Sequence, residues 1–388
     1  MGKIVTIIHY SALPIIGGVE FIISKHSELM KQDGLDVRII AGDGNPDVLI
    51  PELKASYYNE IQQIILSGKE PDNFTQEVEA LQSKLYQEIS ASDVLIVHNM
   101  FTMHFNLVAT AAIAKLARNL RTITWVHDIA YIDSTYNLPP PTISPLKYIS
   151  EPMDHLEYVT ITKYRKELLV DFLSVEENKV NVISNGIDPY ILLPQKMKEI
   201  AEELDILSFY PVIVYPSRMT RRKNYEFAIE IVGELEGNPL LLLSAPPDPH
   251  NPTFSSYKEE LYRLSGEKGV SLIFFGDFVS IEDIYPFYSL GDLLLITSRM
   301  EGFGLPVVEA ALLRIPAALS NIPPLIELGK HFQNTIFFDL DEDPKIVADR
   351  ISLFLKNSST VKDRKEVIER YSWKRIYQEK IRELLKIS

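Results

Sequence analysis

The 388 residues read as a two-domain α/β protein, each domain a parallel sheet flanked by helices. Three observations lead there. The length suits two ordinary cores better than one. Short apolar runs alternate with helix-period segments along the chain, the pattern of β–α–β units and a parallel sheet. Several runs end in loops marked by glycine, proline or histidine, where open parallel sheets bind ligands beyond the carboxyl ends of their strands. Hydrophobic residues make up 46% and charged residues 24%, the globular range. A net charge of -14 denies a nucleic-acid partner the basic surface it needs. With no cysteines, disulfides and thiolate metal sites are excluded. The first apolar run is too short for a signal peptide, and no stretch is apolar enough to span a bilayer. The expected location is the cytoplasm, with local peripheral contact to a membrane left open.

Lys3 to His9 is expected as the first buried strand. A loop carrying Gly17-Gly18 comes next, then helical periodicity from Phe21 to Lys31. The full Gly-x-Gly-x-x-Gly fingerprint is absent, which speaks against a nicotinamide dehydrogenase. Leu35 to Ala41 is a second strand. Residues 47–92 form a polar, acidic excursion with helical stretches such as Phe74 to Ile89. Asp93 to Val97 is a strand ending at His98-Asn99. Leu107 to Arg118 is an alanine-rich helix, and Arg121 to Val126 a strand ending at His127-Asp128. A lone histidine is more often structural than catalytic, but strand-end placement makes His98 and His127 candidates. Asp128 either orients His127 or caps the next segment. Glu157 to Thr162, Arg165 to Leu173 and Lys179 to Ser184 read as strand, helix and strand. Asn185-Gly186 then makes a turn with a positive-φ glycine expected at Gly186.

Pro211 to Pro216 opens a second sheet. It leads to four cations, Arg218, Arg221, Arg222 and Lys223, and a helix from Tyr225 to Leu235. Leu240 to Ser244 is a strand followed by a proline-rich loop over 245–252. Ser271 to Phe275 is the next strand, ending near Phe278, and Glu282 to Leu290 a helix. The run Gly291 to Ser298 is a buried strand. It feeds Glu301-Gly302-Phe303-Gly304-Leu305-Pro306-Val307-Val308-Glu309. Pro306 suits a first helical position, where its missing N–H has no partner to lose. The glycines let backbone approach a ligand, and amides at the helix start favour an anion. Amides for phosphate and two carboxylates for hydroxyls suit a nucleotide sugar.

The strand, Ser298, Glu301-Gly302-Phe303-Gly304-Leu305-Pro306 and Glu309 in one register resemble the signature of glycosyltransferase family 4, retaining enzymes of GT-B fold. The resemblance implies two facing Rossmann-like domains with parallel sheets and an interdomain cleft. Asn185-Gly186-Ile187-Asp188 resembles the family's hinge, and Tyr371-Ser372-Trp373 the start of its final helix. Residues 1–190 are then the acceptor-binding domain, 191–371 the nucleotide-sugar domain, and 372–388 a helix crossing back to the first. By the same resemblance Arg218 and Lys223 hold the donor diphosphate, while Arg221 and Arg222 match nothing and are expected at the surface. Glu301 lies beside the hexose, with Gly302, Phe303, Gly304 and Leu305 around the donor and Glu309 at its ribose. Gly17 and Gly18 lie near the donor phosphates and the acceptor, and backbone near Phe278 faces the base. His127 sits beside the reaction centre, and His98, Asn99 and His127 meet the acceptor. His127, Glu301, Arg218 and Lys223 are the expected catalytic set.

The reaction so implied is transfer of a hexose, from a donor of GDP-mannose or UDP-glucose type, to a hydroxyl acceptor with retained configuration. No cofactor is expected, since the nucleotide sugar is a substrate, and no Asp-x-Asp motif calls for a metal. The 98–127 and 246–250 regions are similar to those of mannosylglucosylglycerate synthases, and the acidic surface suits a small soluble sugar or sugar-glycerate acceptor. A lipid or polysaccharide acceptor, a sugar-nucleotide epimerase on the same fold, and a non-catalytic nucleotide-sugar-binding protein are the alternatives. Retention of Glu301, Arg218 and Lys223 argues against the last. Nothing in the sequence marks an oligomeric state. Two positions depart from the family: the proline-rich loop replaces a glycine-rich one, and Arg314 stands where glycine is usual.

Overall fold

The computed structural model describes residues 2–244, 254–275 and 283–387. The chain divides into two compact units, Met1–Ile187 with Tyr371–Ser388, and Asp188–Arg370. No helix among the described residues is long and apolar enough to cross a membrane.

The first unit is built on seven strands: β1 (Ile4–His9), β2 (Asp36–Ala41), β3 (Val48–Leu49), β4 (Val94–His98), β5 (Thr122–Val126), β6 (Leu156–Thr160) and β7 (Val180–Val182). Their order is β3-β2-β1-β4-β5-β6-β7, with all pairs parallel. The order reverses between β1 and β4, the switch point at which doubly wound sheets bind ligands. β4 and β5 are buried along their whole length, hence their unbroken apolar runs. The polar excursion contributes edge strand β3 and two helices, Asn59–Leu66 and Phe74–Ile89. Phe74, Val78, Leu81, Leu85 and Ile89 recur at helical spacing and are all buried. The C-terminal turns bury Ile376, Tyr377, Ile381 and Leu385 in one core cluster with Val5, Ile7, Trp125 and Val159. Gly186 is not in the positive-φ region expected of it. It is required for another reason: a Cβ there would run into the Trp373 ring.

Among its described residues the second unit has six parallel strands: β8 (Val212–Tyr215), β9 (Leu240–Leu243), β10 (Ser271–Phe274), β11 (Leu293–Ile296), β12 (Ala317–Ser320) and β13 (Thr335–Phe338). They run β10-β9-β8-β11-β12-β13, with the switch between β8 and β11. The four leucines of β9 are completely buried, as a strand covered on both faces requires.

The helix after β11 spans Leu305–Leu312, so Pro306 is its second residue rather than its first. Gly304 caps it at φ 98°, a left-handed conformation that favours glycine. Its far end explains Arg314. Ile315 N–H bonds to Ala310 O at 2.9 Å and Arg314 N–H to Ala311 O at 3.2 Å, a Schellman closure that puts Arg314 at φ 61°. A side chain there costs about 1–2 kcal/mol, against about 0.5–1 for the extra freedom of an unfolded glycine. Arg314→Gly should therefore stabilise the protein by about 0.5–1 kcal/mol, read as a raised urea midpoint. A lowered midpoint contradicts this account of the helix end.

Candidate active site

In the second unit the loops after β8 and β11 leave the sheet side by side, because those strands pair directly. Buried Tyr215 ties the loops together: its hydroxyl donates to Lys223 O at 2.7 Å and accepts from Thr297 N–H at 3.2 Å. Thr297 Oγ1 donates to Asn224 O at 2.7 Å, and Arg299 N–H to Arg222 O at 2.8 Å. This lacing brings together two residues far apart in sequence. Lys223 Nζ lies 2.6 Å from Glu301 Oε1, and Ser298 Oγ donates to the same oxygen at 2.6 Å. Both charged side chains are nearly buried, at 11% and 10% exposure. A charge pair so enclosed depends on its hydrogen bonds, since water no longer solvates it.

Arg218 is exposed, and among the described residues its guanidinium has no partner. Arg221, two positions before Lys223, is occupied instead: it pairs with Glu260 at 2.7 Å and lies 4.5 Å over the Tyr257 ring. Arg222 is exposed as well. The switch point thus carries an open cation beside a lysine–carboxylate pair. Gly302 has open space where a Cβ would stand, and Phe303 and Leu305 are exposed. Glu309 is the fifth residue of its helix, and its Oε2 accepts the Tyr288 hydroxyl at 2.6 Å. Burial and that carboxylate push the Tyr288 phenol up, so it stays a proton donor to Glu309. Tyr288 is a positioning residue without a motif of its own, revealed only by adjacency in the fold, whereas Ser298, already part of the sequence signature, is placed on the Glu301 carboxylate. Phe278 and the 246–250 loop lie outside the described residues.

In the first unit three histidines end three adjacent strands: His9 on β1, His98 on β4, and His127 just after β5. His98 is fully enclosed and His127 is 4% exposed. His98 Nδ1 lies 3.0 Å from His127 Nε2. His26, unmarked in the sequence, packs against Trp125 with ring centroids 4.5 Å apart. Burial lowers His26 and His127 to about 3, and holds His98 well below the ordinary imidazole value. Asn99 sits at φ 57°, and its Oδ1 accepts the N–H of His127 at 2.7 Å and of Asp128 at 3.1 Å. Its amide oxygen is thus engaged in shaping the β5 end. Asp128 faces Arg165 at 3.3 Å; the contact to the His127 ring comes from His98. Gly17 caps the helix Gly18–Gln32, and a Cβ on it would run into the Glu20 carboxylate. Glu20 accepts Ser11 Oγ at 2.5 Å and stands 3.8 Å from His9 Nε2. A carboxylate therefore faces this helix start, near which the family resemblance places the donor phosphates.

Two parallel-sheet units, each with polar and charged groups at its switch point, are the architecture expected of a GT-B glycosyltransferase. The chain belongs to that family in both halves: residues 16–190 match the profile described as Glycosyltransferase Family 4, and residues 196–372 that of Glycosyl transferases group 1. An uncharacterized glycosyltransferase of Methanocaldococcus jannaschii is 27% identical, the match covering 62% of each chain. An Escherichia coli O-antigen biosynthesis glycosyltransferase is 28% identical over 46% of this chain and 47% of its own. The match thus spans less than two thirds of either relative. A mannosylglucosylglycerate synthase of Petrotoga mobilis is 25% identical, covering 79% of this chain and 80% of that protein. Among solved structures, Anabaena HepE in complex with UDP and glucose is 16% identical with a TM-score of 0.38, covering 99% of this chain and 100% of that one.

Proposed function

We propose that the protein transfers a hexose from a nucleoside diphosphate sugar to a hydroxyl acceptor with retention of anomeric configuration. The observation that carries this reading is the Lys223–Glu301–Ser298 cluster beside open Arg218 at the β8/β11 switch point. The chemical demand is to stabilise a departing diphosphate and a developing oxocarbenium. Arg218 offers a planar fork to phosphate oxygens, and Lys223 a point charge. Amides at the start of Leu305–Leu312 add partial positive charge. Glu301 takes hexose hydroxyls and Glu309 the ribose. The bond from the anomeric carbon to diphosphate oxygen breaks, the acceptor oxygen bonds to that carbon on the same face, and its proton passes to the leaving phosphate. His127, with His98 behind it, belongs to the acceptor side of the assignment.

The Petrotoga relative, by its name a mannosylglucosylglycerate synthase, supports a small soluble acceptor, a sugar or sugar-glycerate; the proposed donor is of GDP-mannose or UDP-glucose type. A donor panel of these with GDP-glucose and ADP-glucose, read by thermal shift and then against pooled acceptors, tests it. One donor should raise the melting temperature and be consumed only with acceptor. Consumption without acceptor favours the epimerase, and stabilisation without any turnover the non-catalytic binder. No cofactor enters this scheme, and two cations serve the diphosphate. Activity should therefore survive EDTA and need no added magnesium; full, reversible loss on chelation contradicts that part of the proposal.

The glutamates separate by ligand. Glu309→Gln should weaken free nucleoside diphosphate and the nucleotide sugar alike, by about 1.5–3 kcal/mol at most. Glu301→Gln should lower turnover. From the sequence alone it would leave free diphosphate affinity unchanged. Because Glu301 holds Lys223, removing its charge frees that cation, so free diphosphate should bind tighter. Calorimetric titration reads both, and weaker diphosphate binding in Glu301→Gln sinks the idea of competition for Lys223.

A further inference from the structure

His98 is sealed between two rings. Its plane lies 16° from that of Trp125 and 21° from that of His127, with centroids 5.6 and 5.3 Å away. The contact to His127 is a hydrogen bond between two imidazole nitrogens, 3.0 Å apart. Burial keeps both rings neutral, so each carries one N–H and one bare nitrogen. Two arrangements fit. Either His98 donates from Nδ1 to His127 Nε2, or His127 donates from Nε2 to His98 Nδ1.

The surroundings of His98 decide between them. If His127 donated, His98 would carry its own proton on Nε2. That atom is buried and has no hydrogen-bond partner among the described residues. An enclosed N–H without an acceptor loses its hydration and gains nothing, and such orphaned donors are the rarer kind in folded proteins. If His98 donates, the same nitrogen is only a bare lone pair among aromatic rings. The first arrangement is therefore favoured. It leaves the His127 proton on Nδ1, the ring nitrogen not taken by His98. Asn99 holds the backbone N–H of His127 at 2.7 Å, which fixes the strand end from which the ring projects.

We propose that His98 is a positioning residue that sets the tautomer of His127, so that His127 presents an Nδ1–H donor to a sugar oxygen and cannot accept a proton there as a base. The identity of that oxygen rests on the transfer reading above; the tautomer does not. His127 then stabilises a hydroxyl or a developing charge by donation, and the acceptor's proton must leave by another route, in keeping with a leaving phosphate that takes it.

The test is the imidazole nitrogen spectrum of the full chain labelled with 15N-histidine, in which long-range couplings tell protonated from bare nitrogens. His127→Gln identifies the His127 signals. The expected wild-type result is a protonated Nδ1 and a bare Nε2 on His127. A protonated Nε2 on His127 overturns the proposal, whether or not the protein transfers sugar. His98→Phe, which keeps the stack, should release His127 to a mixture containing the Nε2–H form and lower kcat by about tenfold or more with little change in donor KM. His98→Asn places an amide N–H near the Nδ1 position and should restore both the Nδ1–H signal and most of kcat. An unchanged His127 spectrum in folded His98→Phe also overturns it.

Discussion

Arg218→Ala is expected to lower kcat/KM by about 2–4 kcal/mol, roughly 30- to 1,000-fold, as loss of one preorganised group facing charge that grows in the transition state. Its melting temperature should not move, because the exposed guanidinium holds nothing in the fold. Lys223→Ala should behave differently. It should cost as much in rate and also destabilise by about 3 kcal/mol, since it strands the enclosed Glu301 carboxylate. The double change Lys223→Met with Glu301→Leu should regain stability and not activity. Steady-state rates beside thermal melts separate the two roles. Near-wild-type rates for folded Arg218→Ala would remove it from the diphosphate clamp.

Acid should unfold the first unit early. His26, His98 and His127 are kept neutral by burial, with His26 and His127 lowered to about 3. In the unfolded chain each takes a proton near its ordinary value of about 6.5. Between about pH 6.5 and 3 the unfolded state thus binds more protons than the native one, and stability rises with pH. The stability is fully present above about pH 6.5 and is lost as pH falls. Each histidine contributes a slope of up to about 1.4 kcal/mol per pH unit, and the three together about 4. His26→Phe fills a similar volume beside Trp125 and removes one proton from the balance. Its melting temperature should fall less steeply below pH 6 than that of the wild type. Identical pH profiles for the two proteins contradict the assignment of His26.

Much of the fold was legible because its signals are local. β9 is four consecutive leucines, and the helix Phe74–Ile89 shows its buried stripe in its spacing. The short strand β3 and the helix Asn59–Leu66 were hidden in a polar stretch, where two paired residues and eight helical ones leave little periodic signal. At the candidate site the sequence singled out Lys223 and Glu301 separately, one for phosphate and one for hexose. Their shared ion pair arises only because β8 and β11 are neighbours, which brings together positions 78 apart. Gly186 is similar: its need for glycine comes from Trp373, which meets it only once the C-terminal segment has folded onto the first unit. Arg314 required a backbone angle, and His98 a ring contact, neither of which a linear pattern carries.

The most direct test of sugar transfer is a proton NMR time course with an α-configured donor from the panel and an acceptor that supports turnover. Retaining transfer predicts a new anomeric signal of α configuration, growing one for one with released nucleoside diphosphate and absent without acceptor. A β-configured product, or diphosphate released at the same rate with acceptor left out, would contradict it.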